Sequence, residues 1–97
     1  MVKDLLTEEE LSMCLYCIDC VEIDQDEFNK GFQTFFITLR DRLNKENPNL
    51  SELEVGEETI RIMNEGFNQL DPDYKWDMIR CFDTMEDYYR ASVDYRK

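Results

Sequence analysis

Apolar residues recur every three or four positions along four stretches of this chain, the spacing of one face of an α-helix. The first stretch runs Leu11, Cys14, Leu15, Ile18, Val21, and the second Phe28, Phe32, Phe35, Leu39, Leu43. The third gives Leu53, Ile60, Met63, Phe67, Leu70; the last gives Ile79, Phe82, Met85 or Glu86, Tyr89, Val93. Each of the first three is preceded by a capping box, in which a cap side chain and the third helical residue satisfy each other's backbone N–H groups. The pairs are Thr7 with Glu10, Asp24 with Glu27 and Ser51 with Glu54, flanked by the apolar staple pairs Leu6 and Leu11, Ile23 and Phe28, Leu50 and Val55. Asp71 as cap with Pro72 at the first helical position signals a fourth start, because the missing N–H costs nothing there.

These signals predict helices over about 8–22, 25–44, 52–70 and 72–95, with ends good to a few residues. Asn44-Lys45-Glu46-Asn47-Pro48-Asn49 is the one obvious loop, closed by a proline that cannot continue the second helix. Gly56 leaves two readings of the third segment open, one continuous helix or a short turn at 52–55 ahead of the main helix. Gly31 and Gly66 fall mid-helix in similar pentapeptides, Asn29–Gln33 and Asn64–Asn68, but two short copies do not establish a repeat. The expectation is a single all-α domain, residues 1–97, folded as a compact four-helix bundle with mostly antiparallel neighbours. Its core should hold Leu11, Leu15, Ile18, Phe28, Phe32, Phe35, Leu39, Ile60, Met63, Phe67, Ile79, Phe82 and Tyr89. Phe36, Ile37 and Met78 are surplus to that core and offer a surface for self-association to a homo-oligomer.

With 97 residues, 42% of them apolar and 12% aromatic, the chain is one domain long and carries enough apolar surface to fold without staples. No apolar run nears the roughly 20 residues that span a bilayer, and Met1-Val2-Lys3-Asp4 leads into acids, so a cytoplasmic protein is expected.

Charge changes the picture more. The 23 acids outnumber the 11 bases and give a net charge of -12, which repels phosphates and anionic lipid and so argues against direct contact with nucleic acid or membrane. A basic protein partner is favoured instead. With no histidine, little in the chain titrates between about pH 6 and 8.

Cys14, Cys17, Cys20 and Cys81 have a spacing superficially like that of an iron–sulfur or zinc site. In a regular helix Cys14 and Cys20 lie about 9 Å apart along the axis, whereas thiolates on one zinc lie within about 4.6 Å. The bland reading, small hydrophobes on and beside a buried helix face, therefore takes precedence, and no cofactor is expected. Without histidine there is no ordinary base for a serine or cysteine nucleophile, and three isolated glycines cannot cradle a phosphate. Asp24, Asp26 and Glu27 do not open a calcium loop, because the glycine required at the sixth loop position is Asn29. A non-enzymatic protein is expected.

The acids are unevenly placed. Between Lys3 and Lys30 nine acids occur with no base, and between Lys45 and Arg61 five more. Elsewhere Asp26–Lys30, Asp41–Lys45, Glu57–Arg61 and Glu86–Arg90 can pair at i, i+4. The plain reading of the excess is a solubilising surface. The functional reading is an anionic docking face formed by Glu8, Glu9, Tyr16, Asp19, Glu22, Asp24, Asp26 and Glu27, with helical carboxylates at about 5–6 Å spacing set against a basic site. Tyrosine is common at binding hot spots, and Tyr16 shares a helix face with Glu9 and Asp19. The expected role is an inhibitor or antagonist that docks on a basic, even nucleic-acid-binding, partner, as phage-encoded inhibitors or immunity proteins do. Two readings compete with it: a metal or iron–sulfur protein using Cys14, Cys17, Cys20 and Cys81, and a structural subunit of a larger assembly.

Overall fold

The computed structural model describes residues 2–76, with side chains from Asp4 onward. A single helical turn, α1 (Val2–Leu5), leads into three long helices, α2 (Glu8–Cys20), α3 (Gln25–Glu46) and α4 (Glu52–Leu70). Among the described residues there is no strand, so the all-α expectation holds. The turn α1 has no counterpart in the sequence reading, and α4 runs without a break through Gly56.

The helix starts obey their caps closely. Thr7 Oγ1 accepts from the Glu10 N–H at 3.1 Å while Glu10 Oε1 accepts from the Thr7 N–H at 2.9 Å. Ser51 and Glu54 exchange the same pair at 3.2 and 3.1 Å. The Glu54 carboxyl is held below the usual range, chiefly by the Ser51 backbone N–H. Asp24 completes only half of its box, its Oδ1 accepting from the Glu27 N–H at 3.2 Å. Ile23 is 85% exposed, so the staple expected with Phe28 is not made.

The turn at 21–23 and the link at 47–51 fold the chain back on itself, so that α2 lies on α3, α3 on α4, and α1 and α2 both reach α4. The core holds Phe32, Phe35, Phe36 and Leu39 of α3, Val55, Ile60, Met63 and Phe67 of α4, Cys14 and Cys17 of α2, and Leu6. Leu11, Ile18 and Phe28 are partly buried at its edge. Leu15 is 48% exposed, against expectation. At about 100° per residue, the inward face of α2 centres on Cys14, and Leu15 falls beyond Leu11 and Ile18 at its margin. Phe36 is fully buried and cannot serve the self-association expected of it. Ile79, Phe82, Tyr89 and Met78 lie outside the described residues.

The helix expected from 72 does not begin there. Asp71 is the C-cap of α4, its N–H bonding the Phe67 carbonyl, and residues 72–74 form a turn. Lys75 takes a φ of 56°, which returns the chain and lets Trp76 stack on Phe67 with ring centroids 4.3 Å apart. Asn68 Nδ2 donates to the Trp76 carbonyl at 2.8 Å, and the Trp76 indole faces Asp71 Oδ2 at 3.4 Å. Stacking on the core aromatics thus wins over the proline helix-start signal. Among the described residues the bundle is three long helices; the rest of the fourth segment lies outside them.

Three buried polar side chains are satisfied within the protein. Thr59 Oγ1 donates to the Val55 carbonyl at 2.7 Å, and Arg40 reaches Asp41 Oδ1 at 2.8 Å, in place of the pair expected between Asp41 and Lys45. Glu10, only 1% exposed, receives Arg42 Nε on Oε2 at 2.7 Å and Nη2 on Oε1 at 2.9 Å. Arg42 Nη2 also donates to the Leu5 carbonyl at 2.6 Å, so one guanidinium ties α1, α2 and α3 together.

Candidate functional site

The nine-acid run resolves into different environments. Glu10 is buried under Arg42 and belongs to the fold. Glu8 and Glu9 sit exposed in the first turn of α2, Asp19 and Glu22 near its end, and Asp24 and Asp26 at the start of α3. None of these six side chains makes an ion pair among the described residues. Glu8 and Asp19 are separated by about 16 Å along the helix axis, and the expected docking residues divide between two depressions, with Glu9, Tyr16 and Glu27 lining one and Asp19 and Glu22 the other.

One group of them forms a shallow groove between α2 and α3. Glu9, Met13, Tyr16, Glu27, Lys30 and Gly31 line it. The Tyr16 hydroxyl donates to Glu27 Oε2 at 2.7 Å, and Lys30 Nζ lies 3.9 Å from Glu27 Oε1. Lys30 therefore faces Glu27 and not Asp26, and Glu27, drawn to Tyr16 and Lys30, does not close the capping box with Asp24. The hydrogen bond to Glu27 raises the Tyr16 hydroxyl well above its ordinary pKa. Gly31 explains how the ring can lie there: a Cβ built on it would stand 2.9 Å from Tyr16 Cδ1 and 3.1 Å from Cε1. This part of the expected face is internally occupied by its own hydrogen bond and ion pair.

The other group meets at one end of the bundle. Because the chain runs up α2, down α3 and up α4, the C-terminal ends of α2 and α4 arrive side by side. A pocket of about 330 Å³ opens between them, lined by Ile18, Asp19, Val21, Glu22 and Ile23 from the first and Asp71, Asp73 and Tyr74 from the second. Asp24 and Asp26 begin α3 beside it in sequence. Neither α2 nor α4 carries a basic residue in its last turn. The only base in the 71–76 segment is the exposed Lys75. Sequence reasoning missed Asp71, Asp73 and Tyr74, having read Asp71-Pro72 as a helix start; their signal was the up-down-up topology, which returns the end of α4 to the end of α2.

The cysteines have a different setting. Cys14 and Cys17 are fully buried thiols inside an unbroken α2, and burial pushes each up to about 12. Cys20 is partly exposed and Cys81 lies outside the described residues. Among the described residues no three histidine, cysteine, aspartate or glutamate side chains gather around a common point suited to an ion. No helix among them is long and apolar enough to cross a membrane.

No family model, no curated protein and no solved structure matches this chain.

Proposed function

We propose that the chain is a non-enzymatic binding protein that docks the acidic end of its bundle on a basic site of a partner protein, as an inhibitor or antagonist. The observation that supports this reading is where the acids stand relative to the helix axes. An α-helix carries the equivalent of about half a negative charge at its C-terminal end, so lysine or arginine is favoured there and carboxylates are disfavoured. Here two helices end together, and their ends carry Asp19, Glu22, Asp71 and Asp73 with no base in either last turn. The arrangement gives up stability for a concentrated negative potential, a trade expected where a surface is kept for recognition.

Such a potential steers a basic surface to this end and orients it on arrival. A protein that grips nucleic-acid phosphates with arginine and lysine is a natural partner, since the carboxylates present negative charge to the same side chains. The test is a comparison of the wild-type chain with Asp19→Lys/Glu22→Lys, each immobilised and exposed to extract from its native host. Proteins retained by the wild type and released by salt should be lost on the variant. Retention of the same proteins by both chains would remove the reading.

A further inference from the structure

We infer that the end pocket takes a basic peptide segment anchored by an apolar side chain, and not a segment that is charged alone; this rests on the docking reading above. The starting observation is Ile23. It stands where an apolar residue normally folds back over the first turn of the next helix, yet it is 85% exposed. Phe28, the residue it was expected to cover, instead packs on Phe32 and Trp76, at centroid distances of 5.6 and 6.0 Å. Ile23 is thereby released to the pocket rim, beside Ile18, Val21 and the half-exposed Tyr74.

These four side chains give the pocket an apolar wall, and the carboxylates of Asp19, Glu22, Asp71 and Asp73 surround it. A second copy of this chain is a poor occupant, because at a net charge of -12 it would bring more negative charge to a negative surface. Charge complementarity selects a partner segment carrying arginine or lysine. The apolar wall selects, within it, a leucine-sized side chain that the wall can cover while the cations reach the carboxylates. Arginine also has a planar face that lies well on a tyrosine ring such as Tyr74.

Two hexapeptides of equal charge separate this inference from the simpler one. They are acetyl-Arg-Leu-Arg-Arg-Leu-Arg-amide and the same sequence with serine in place of leucine, titrated into the full chain at low salt. The leucine peptide should bind about tenfold more tightly, the effect of covering roughly one aliphatic side chain. Ile23→Ser should bring it to the level of the serine peptide and leave the serine peptide unchanged. Since Ile23 is exposed, that variant keeps its fold, which far-UV circular dichroism checks. Asp19→Asn/Asp73→Asn should weaken both peptides and flatten their salt dependence. Equal binding of the two peptides, or an unaffected Ile23→Ser variant, overturns the apolar anchor and leaves charge-driven docking standing. Failure of both peptides to bind overturns both.

Discussion

Replacing Arg42 with alanine is the sharpest test of how the fold separates structural from surface carboxylates. The guanidinium makes two bonds to the Glu10 carboxylate, at 2.7 and 2.9 Å, and one each to the Leu5 carbonyl at 2.6 Å and Glu46 at 2.8 Å. In its absence Glu10, 1% exposed, keeps only the Thr7 N–H among the described residues. Removing one partner of a buried ion pair costs about 3–5 kcal/mol, mostly the penalty of the charge left behind. Arg42 is itself 24% exposed, so water can reach part of the vacated space and the lower figure, about 3 kcal/mol, applies. For a domain of this size that corresponds to a fall in Tm of about 12–24 °C. Guanidinium unfolding followed by far-UV circular dichroism measures it directly. The double variant Glu10→Leu/Arg42→Leu removes both charges together and should recover most of the loss. A loss below about 1 kcal/mol for Arg42→Ala, or a double variant no better than the single one, would refute this account of the Glu10 environment.

Four other outcomes are expected. Asp19→Lys should raise stability by roughly half a kcal/mol, since the change places a cation in the last turn of α2; a lowered Tm would contradict the helix-end argument. Cys14 and Cys17 should resist a disulfide reagent in the native protein at pH 8 while Cys20 reacts, as peptide mass mapping will show; equal labelling of all three would contradict their burial. Because those two thiols ionise near 9 when unfolded and near 12 when folded, their contribution to stability is complete below pH 9 and is lost as pH rises toward 12, so the unfolding midpoint should fall across that window. Gly31→Ala should gain about 1 kcal/mol of helix propensity only when Tyr16 is also alanine, because in the wild type the new methyl would displace the Tyr16 ring; equal effects in both backgrounds would refute the contact.

The three long helices were legible because their signals are local. Thr7, Asp24 and Ser51 each cap the helix that begins one residue later, and the three-to-four spacing of Phe28, Phe32, Phe35 and Leu39 requires no knowledge of the partner helix. What failed was decided by tertiary contacts. Asp71-Pro72 reads as a helix start, but the stacking of Trp76 on Phe67 pulls the chain into a turn. Arg61 was expected to pair with Glu57 and is held by Glu58 and Glu65, a choice among neighbours that spacing alone leaves open. Glu86–Arg90 lies outside the described residues. The acid run was legible as charge and illegible as geometry: its sequence does not reveal that Arg42, 32 positions away, buries Glu10, or that Tyr16 engages Glu27. Asp71, Asp73 and Tyr74 join Asp19 and Glu22 only once α4 is folded back beside α2.

The most direct test of the docking reading is a residue-by-residue map of where a cationic peptide touches the chain. Amide nitrogen–proton spectra recorded while the serine-containing arginine peptide is added at low salt would provide it. The largest shifts should fall at 18–24 and 71–74 and disappear as salt is raised. Shifts of equal size at Glu8, Glu52, Glu57 and the other exposed acids would mean that the peptide sees only a diffuse negative charge, and the helix-end surface would have no claim to be a site.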